Sequence, residues 1–218
     1  MEKFYQLKNE NEDSADLYIY GDITSCKWFE DEVSAYDLSK DLIELGNKNL
    51  NIHINSYGGE VSQGLAIYNL LKDYKGPVTT ICDGFACSAA SVIFMAGTKR
   101  LMQKSSLLMI HNAWTRASGD ANELRKAADD LEKITQPSIE IYKANSNLEE
   151  SEIKKMMDDE TWITADEALD YGFATEIIED SPKQSLRDDM FSKLVHKTKD
   201  LEKKLSKLEP EESEGWFF

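Results

Sequence analysis

Val78–Cys82 (VTTIC), Asp83–Ser91 (DGFACSAAS) and Val92–Met95 (VIFM) follow one another without a break. The first run is typical of a short buried strand, and the small and apolar residues after Ser88 are typical of a helix. The sequence therefore predicts a strand that turns abruptly into a helix, with Ser88 at the turn. Such a turn lifts a side chain above the sheet and places it beside the free N–H groups of the helix start.

Ser88 has two interpretations at this position. The free N–H groups and the positive end of the helix dipole can stabilise the oxyanion of an acyl transfer, so the hydroxyl could be a nucleophile. Alternatively, Ser88 only caps the helix and the alanines after it allow close packing, which is the commoner use of such a serine. The adjacent Cys87 is a further candidate nucleophile, although a thiol in an apolar segment is usually a small buried side chain.

Strands and helices alternate on both sides of this turn. Further strands are predicted at 17–23, 50–55, 106–110 and 174–178, and helices at about 30–45, 119–134, 149–157 and 164–171. Another helix is predicted after Gly59, with its apolar face within 65–71. Pro137 is expected to break or bend the helical stretch that starts near residue 119, and Thr164–Glu167 has the pattern of a capping box. The alternation indicates an α/β domain with a largely parallel sheet.

Composition and charge limit the classes of function. The 218 residues are 41% apolar and 10% aromatic, which suits one domain with a well-formed core. The formal net charge is −16, and nearly all of it lies in residues 1–182, because residues 183–218 contain equal numbers of basic and acidic side chains. An acidic body repels phosphate backbones, so nucleic acid is not an expected partner. We expect one domain at 1–182 and a charged, partly helical tail with a disordered end at 183–218.

The sequence favours a reducing compartment and no membrane. Cys26, Cys82 and Cys87 are odd in number and lack the spacing of metal ligands. The N-terminal residues have no signal-peptide pattern, and no apolar run reaches the ~18 residues of a membrane span, so we expect a cytoplasmic location.

The C-terminal tail has two features with open interpretations. Apolar residues at three- and four-residue spacing within 191–208 could pair helices, or form only a frayed polar helix. Trp216–Phe218 could be a docking peptide or an incidental end.

A nucleophilic serine needs a base and a group that orients the base. His111 follows the strand predicted at 106–110, so it would emerge at the carboxyl end of a strand, where sites form in open α/β sheets. His53 lies in the middle of a strand and His196 in the polar tail, which leaves His111 as the best-placed base. Glu160, which follows two aspartates, is a candidate orienting acid, although three adjacent acids are usually a solvated turn.

Gly58 and Gly59 follow the strand predicted at 50–55. Because they lack Cβ, their backbone can approach a peptide closely. Their N–H groups could supply an oxyanion donor or pair with an extended substrate as an added strand. A plain turn is the commoner explanation of a Gly-Gly pair.

Four motifs occur in an order that is typical of one protein family: Ile54–Gly59, Gly84–Ser88, Met109–His111 and Thr164–Gly172. With these motifs the chain resembles the proteolytic subunits of the Clp protease family from about residue 17 to residue 178. The resemblance implies an α/β fold, the spiral of β-β-α units shared with the crotonase superfamily, with a helical oligomerisation arm at about 119–157. It also implies homo-oligomeric rings and no metal or organic cofactor.

The resemblance assigns a role to each candidate residue. Ser88 would be the nucleophile and His111 the general base. Gly58 and Ala89 would contribute oxyanion N–H groups, with Gly59 beside them in the substrate-binding loop. Ser91 then becomes a helix residue and only a second-choice nucleophile.

The sequence departs from the family pattern at two positions. Glu160 stands where the family usually has the aspartate of the triad; glutamate can hold the imidazole, but its extra methylene changes the reach, and Asp159 is the alternative. Tyr57 stands where the family often has proline, which allows a differently shaped substrate-binding loop. The run Leu108–Trp114, together with Glu160 and the charged tail, is similar to phage-encoded relatives that act as head-maturation proteases.

The resemblance thus implies a serine endopeptidase that acts on protein or peptide substrates. We expect a phage or prophage head-maturation protease that processes capsid or scaffold protein, in the bacterial cytoplasm or the prohead. The alternative is a general degradative subunit that works with an AAA+ unfoldase. Two remoter alternatives are a crotonase-type acyl-CoA enzyme, which needs no Ser-His pair, and a catalytically silent scaffold, against which the intact Ser-His-acid set argues.

Overall fold

The computed structural model describes residues 7–9, 13–25 and 35–178. The strands in these ranges are β1 (Leu7–Asn9), β2 (Ser14–Tyr20), β3 (Asn49–Ser56), β4 (Val78–Cys87), β5 (Lys99–Gln103), β6 (Leu107–Ile110), β7 (Thr161–Thr164) and β8 (Glu176–Ile178). The helices are α1 (Ala35–Leu45), α2 (Val61–Asp73), α3 (Ala89–Phe94), α4 (Ala121–Ala144), α5 (Glu150–Asp158) and α6 (Ala165–Asp170).

The strands of the described residues form one sheet in which most neighbours are parallel. Strands β1, β2, β3, β4, β5 and β8 lie in that order; β1 is antiparallel to β2, and the other pairs along this path are parallel. Strand β6 pairs in parallel with the end of β4, and β7 pairs antiparallel with β6. The mixed α/β fold with a parallel sheet, expected from the sequence, is confirmed.

Strand β4 changes its partner half-way along its length. Its first half, Thr79–Cys82, pairs with β5, and its last residues, Phe85–Cys87, pair with β6. The register against β3 shifts between these halves, because one residue of β3, Asn55, faces the three residues Asp83–Phe85 of β4. This bulge separates the two halves of β4, and bulges of this kind re-aim the strand that follows them.

One apolar core holds the site in place. It combines inward-facing strand residues with residues from all six helices. The short helix α3 is almost completely buried, since each of its residues is at most 5% exposed. Helix α2 approaches α3 closely at Gly64, where a Cβ would be 2.8 Å from the Cβ of Ala89. The first turn of α3 therefore has little freedom to move.

The structure corrects three of the predicted elements. Strand β4 does not end at Cys82, because the bulge lets the following glycine-containing segment keep its pairing as far as Cys87. Strand β5 (KRLMQ) was missed because it has no regular alternation of apolar and polar residues. Of the break or bend expected at Pro137, the break is absent, since α4 runs from Ala121 to Ala144 with the proline inside; the bend stays a prediction. Buried residues on the following turns, Ile139 and Tyr142, anchor the continuing helix in the core.

Several predictions fall outside the described residues. They concern Cys26, His196, the beginning of the helix predicted at about 30–45, and the tail at 183–218 with its apolar spacing and its aromatic end. The domain boundary at residue 182 stays a prediction.

Candidate active site

Ser88 joins β4 to α3 in a backbone conformation that few residues adopt. Its φ is 54° and its ψ is −124°, on the side of φ space that L-residues avoid. Its N–H donates to the Met109 carbonyl at 2.8 Å, which extends the pairing of β4 with β6 by one residue. Although Ser88 is the N-cap residue of α3, its side chain makes no capping hydrogen bond. The geometry therefore argues against a capping role for this hydroxyl.

The His111 side chain meets the Ser88 hydroxyl. The distance from His111 Nε2 to Ser88 Oγ is 2.7 Å, across 23 residues of sequence. The contact follows from the fold, because β4 and β6 are parallel neighbours and Ser88 and His111 directly follow their carboxyl ends. The imidazole is mostly buried, with 13% of the side chain exposed. The structure thus brings together the serine and histidine that the sequence analysis paired.

Glu160 lies on the other side of the imidazole. Its Oε1 is 3.5 Å from His111 Nδ1, which is longer than an ordinary hydrogen bond, and its side chain is 73% exposed. Its φ of 48° is in the left-handed region, at the tight turn between α5 and β7. The carboxylate is placed to orient His111, through a contact that solvent screens.

The two aspartates beside Glu160 make different contacts. Asp159 is the C-cap residue of α5, and its backbone closes the last turn of that helix. Asp158 accepts a 2.7 Å hydrogen bond from Asn112 Nδ2, which ties the end of α5 to the residue after the histidine. The carboxylate that faces His111 Nδ1 is that of Glu160. The geometry therefore favours Glu160 over Asp159 as the orienting acid.

Two expected oxyanion donors lie beside Ser88. A Cβ at Gly58 would be 2.6 Å from the Cys87 carbonyl oxygen and 2.7 Å from Ser88 Cβ, and its φ is +98°, so only glycine fits. The Gly58 N–H already donates to Ser56 Oγ at 3.0 Å. The Ala89 N–H begins α3 and has no carbonyl one turn earlier to bind. Ala89 is thus the more available donor of the two.

Gly59 lies against Ile23 and helps to fix the loop that carries Gly58. A Cβ at this residue would overlap the Ile23 carbonyl, and its φ is +147°. The same Ile23 pairs with both neighbours of Gly59: its N–H donates to the Gly58 carbonyl at 2.9 Å, and its carbonyl accepts from the Glu60 N–H at 2.8 Å. The described contacts of Gly59 fix the loop and do not reach the serine.

A cleft opens beside the serine and the histidine. Apart from Ser88, Ala89, His111 and Asn112, it is lined by Val61, Gly64, Leu65, Val92, Ala113, Thr135, Ser138, Tyr142 and Met157. Most of these side chains are apolar, with three hydroxyl groups among them. A substrate bound at Ser88 would therefore lie against a mostly apolar wall.

The alternative nucleophiles are buried. Burial raises the pKa of the Cys87 thiol to about 11 and that of Cys82 to about 12, so both stay protonated at neutral pH. Ser91 has no exposed surface, and its hydroxyl donates to the Ser88 carbonyl at 2.6 Å. Neither Cys87 nor Ser91 can meet a substrate in this arrangement.

Sequence reasoning missed two side chains at the site, Asn112 and Tyr142. Asn112 could have been noticed because it directly follows His111, whereas no local pattern points to Tyr142 in the middle of a long helix. His53 lies away from this site: it is buried, stacks on Tyr18, and its Nδ1 is 2.7 Å from Asp83 Oδ2.

Two absences hold for residues 7–9, 13–25 and 35–178. There, no group of three or more His, Cys, Asp and Glu side chains is arranged to hold a metal ion. In the same ranges, no helix has the length and apolar character needed to cross a membrane.

Comparison with known proteins identifies the family. A profile of the Clp protease family matches residues 14–181, a range that includes every residue of the site. The chain belongs to the Clp protease family. This confirms, at the level of the family, the resemblance that the four motifs suggest.

Similar proteins carry one shared description. Proteins named ATP-dependent Clp protease proteolytic subunit are 36% identical over 138 residues in Porphyromonas gingivalis, covering 62% of each chain, and 34% identical over 132 residues in Deinococcus radiodurans, covering 60% of this chain and 65% of the relative. The chain thus spans less than two thirds of these two relatives. In Bacteroides fragilis the identity is 33%, over 68% of this chain and 74% of the relative.

A solved structure has the same fold. It is a ClpP1 mutant from Listeria monocytogenes, 29% identical, with a TM-score of 0.64 over 76% of this chain and 91% of the other. Family and relatives support the class of serine peptidase. The relatives named here are Clp proteolytic subunits, so the comparisons favour the degradative interpretation over head maturation.

Proposed function

We propose that this chain is a serine endopeptidase that cleaves peptide bonds by acyl transfer. The observation that carries the proposal is the 2.7 Å contact between Ser88 Oγ and His111 Nε2 at a strained strand-to-helix turn. Because Glu160 faces Nδ1, the neutral imidazole keeps its proton there and leaves Nε2 to accept the serine proton.

The reaction proceeds through an acyl-enzyme. Ser88 Oγ attacks the peptide carbonyl while its proton passes to His111 Nε2. The carbonyl oxygen becomes an oxyanion that the Ala89 N–H binds, and the Gly58 N–H joins it by exchanging its bond with Ser56 Oγ. The histidine gives the proton to the leaving amine. Water, deprotonated by the histidine, then releases the acyl group and restores the serine.

Glu160 and Gly59 act on the machinery rather than on the substrate. Glu160 orients the imidazole and stabilises its cation, with an effect that solvent exposure limits. Gly59 keeps the loop that carries Gly58 paired with Ile23. Neither role needs a metal or an organic cofactor.

We propose that the chain works as the proteolytic subunit of an ATP-dependent Clp-type protease. The names of its relatives support this role. The role implies homo-oligomeric rings that enclose the sites, an AAA+ unfoldase that feeds them, unfolded proteins as substrates, and a cytoplasmic location.

Head maturation is a second candidate. The observation that favours it is Glu160 at the triad position, where the family usually has aspartate, next to the phage-like run at Leu108–Trp114. Its substrate would be a capsid or scaffold protein, and no unfoldase would be required. The two candidates share the chemistry and differ in the partner.

Labelling with a fluorophosphonate probe tests the chemistry. We expect the wild-type protein to be labelled at one serine and Ser88→Ala to remain unlabelled with an unchanged circular dichroism spectrum. Ser106→Ala is the control, because it removes a serine hydroxyl that is buried and donates to the Gln103 carbonyl at 2.8 Å, away from His111. An unlabelled wild-type protein, or a labelled Ser88→Ala, would refute the proposal.

Degradation assays test the partner. A folded, tagged substrate should be degraded only with a Clp ATPase and ATP if the chain is a degradative subunit. Cleavage of a capsid or scaffold protein at discrete sites, without ATP, would instead support head maturation and contradict the degradative role.

A further inference from the structure

Ser91 lies in a buried chain of hydrogen bonds directly behind Ser88. We propose that Ser91 and Tyr142 are positioning residues that hold the strained backbone of Ser88 in its reactive conformation. The proposal rests on the proposed peptidase function and extends it to two residues that touch neither the substrate carbonyl nor the imidazole.

The chain has two short links. Ser91 Oγ is 2.6 Å from the Ser88 carbonyl oxygen and 2.8 Å from the Tyr142 hydroxyl. Both side chains are buried, with Ser91 at 0% and Tyr142 at 1% exposure. Hydrogen bonds inside a protein are not weakened by competing water, so these two are well placed to fix their partners.

The direction of both bonds follows from the number of protons. A carbonyl oxygen only accepts, so the single proton of Ser91 Oγ is used toward Ser88. The second link must therefore be donated by the Tyr142 hydroxyl to Ser91 Oγ. Burial raises the pKa of Tyr142, which keeps its phenol protonated as this donor requires. The hydrogen bond from Tyr142 thus fixes the orientation of the Ser91 hydroxyl, so that the Ser91 proton points at the Ser88 carbonyl.

Hydrogen bonds to the Ser88 carbonyl can stabilise the backbone conformation of Ser88. The left-handed φ of Ser88, 54°, is a strained value, and strain of this kind persists only where the surroundings hold it. The backbone N–H groups of Ser91 and Val92 also donate to the Ser88 carbonyl, at 3.0 and 3.3 Å, but the Ser91 hydroxyl is the closest donor at 2.6 Å. It opposes a rotation of the Ser88 peptide that would turn Oγ away from His111.

A serine in a helix often donates to a carbonyl three or four residues earlier, so the first link alone would be unremarkable in function. The second link is different because Tyr142 comes from another helix, α4, 51 residues away. Tyr142 is itself fixed by an edge-on contact with Phe173, at 5.9 Å between ring centroids. These contacts therefore connect the Ser88 backbone to α4 and to the apolar core.

The test compares Ser91→Ala, Tyr142→Phe and the double variant. Each removes hydroxyl groups and adds no volume. Two matched controls remove similar hydroxyls elsewhere: Ser106→Ala loses its bond to the Gln103 carbonyl, and Tyr74→Phe loses its bond to the Lys48 carbonyl. The measurements are the second-order rate of labelling by a fluorophosphonate, kcat and KM on a fluorogenic peptide, and the melting temperature.

We expect Ser91→Ala to lower the labelling rate and kcat about tenfold and Tyr142→Phe about threefold, as the loss of one buried hydrogen bond allows. KM should stay near the wild-type value. The double variant should react like Ser91→Ala, because Tyr142 acts only through Ser91. The two controls should lose melting temperature without losing labelling rate.

The proposal is overturned if folded Ser91→Ala and Tyr142→Phe label at the wild-type rate, or if their losses multiply in the double variant. If Ser91→Ala does not fold, the labelling rate of Tyr142→Phe alone tests the proposal: a wild-type rate overturns it, and a reduced rate supports it. These results leave the proposed function intact. An unlabelled wild-type protein would overturn the peptidase function and this proposal together.

Discussion

Gly58 and Ser88 share a space that is too small for one more methyl group. A Cβ on Gly58 would lie 2.7 Å from Ser88 Cβ and 2.6 Å from the Cys87 carbonyl oxygen, at the junction of β4 and α3. The strain of a φ of +98° adds to this overlap. The space between the glycine loop and the nucleophile therefore accepts no side chain at position 58.

We predict that Gly58→Ala lowers fluorophosphonate labelling and peptide cleavage by roughly 100-fold or more, the effect of disturbing one oxyanion donor or more. Gly46→Ala is the control, because Gly46 has a similar left-handed φ of +67° but no atom within 4 Å of the added Cβ. It should lose about 1 kcal/mol of stability and keep its rate. A Gly58→Ala protein with wild-type activity would contradict the placement of this loop.

Glu160 should matter less than a buried triad acid would. Its 3.5 Å separation from His111 Nδ1 and its 73% exposure leave the orienting contact weak. We predict that Glu160→Gln lowers kcat about tenfold, well below the loss of about 10⁴ known for a buried acid, and leaves KM unchanged. Asp159→Asn should be near wild type. If steady-state kinetics instead showed a larger loss of kcat for Asp159→Asn than for Glu160→Gln, Asp159 would be the orienting acid.

At the scale of residues, the sequence predicted those side chains whose place depends on local pattern. Ser88 and His111 each follow an apolar strand, so their meeting could be inferred from the carboxyl ends of two strands. The contact between Tyr142 and Ser91 could not, because it depends on how α4 packs across the core. The occupation of the Gly58 N–H by Ser56 Oγ could not be foreseen either, since it depends on a rotamer.

At the scale of elements, the bulge in β4 separates the half that pairs with β5 from the half that pairs with β6 and leads to Ser88. Asn55 Oδ1 spans the bulge by accepting the Phe85 N–H at 3.1 Å. Gly84 leaves room for this side chain, because a Cβ there would be 2.6 Å from Asn55 Oδ1. At the same bulge, Asp83 accepts 2.7 Å hydrogen bonds from Tyr20 and His53. The Asn55 side chain thus satisfies the Phe85 N–H at the bulge, and the Asp83 side chain ties the bulge to β2 and β3.

We predict that Asn55→Leu lowers the labelling rate about tenfold, because it keeps the volume and removes the acceptor of the Phe85 N–H. Asn55→Asp keeps an acceptor in the same place and should retain most of the rate. The comparison of these two variants isolates the hydrogen bond from the side chain's bulk. Equal rates for both would show that the bulge does not depend on Asn55.

The elements that the sequence predicted well carry strong local signals. The capping box at Thr164 is formed as expected, with the Thr164 side chain accepting from the Glu167 N–H. Strand β5 and the second half of β4 carry weak signals, because pairing with neighbouring strands stabilises them more than their own residues do. Pro137 shows the same competition, since tertiary packing of α4 outweighs the one helical hydrogen bond that proline removes.

At the scale of the whole molecule, two features oppose each other. The chain has a net charge of −16, so copies of it repel one another at low salt. Helix α4 nevertheless exposes large apolar side chains, with Leu124 at 45% and Ile134 at 46% exposure. These residues lie on the segment that the sequence analysis assigned to an oligomerisation arm, an assignment that stays a prediction.

If α4 joins copies of the chain, the mass in solution should depend on salt and on these two residues. We predict assemblies larger than the monomer at about 1 M salt, where charges are screened within about 3 Å, and smaller species at about 0.01 M, where repulsion reaches about 30 Å. Leu124→Glu with Ile134→Glu should reduce the mass at both salt concentrations, because it charges the apolar surface. Asn122→Asp adds charge to the same exposed helix without removing an apolar side chain, so it should assemble like the wild type. Light scattering after size exclusion measures all of these masses, and a wild-type monomer at every salt concentration would exclude the arm as an interface between copies.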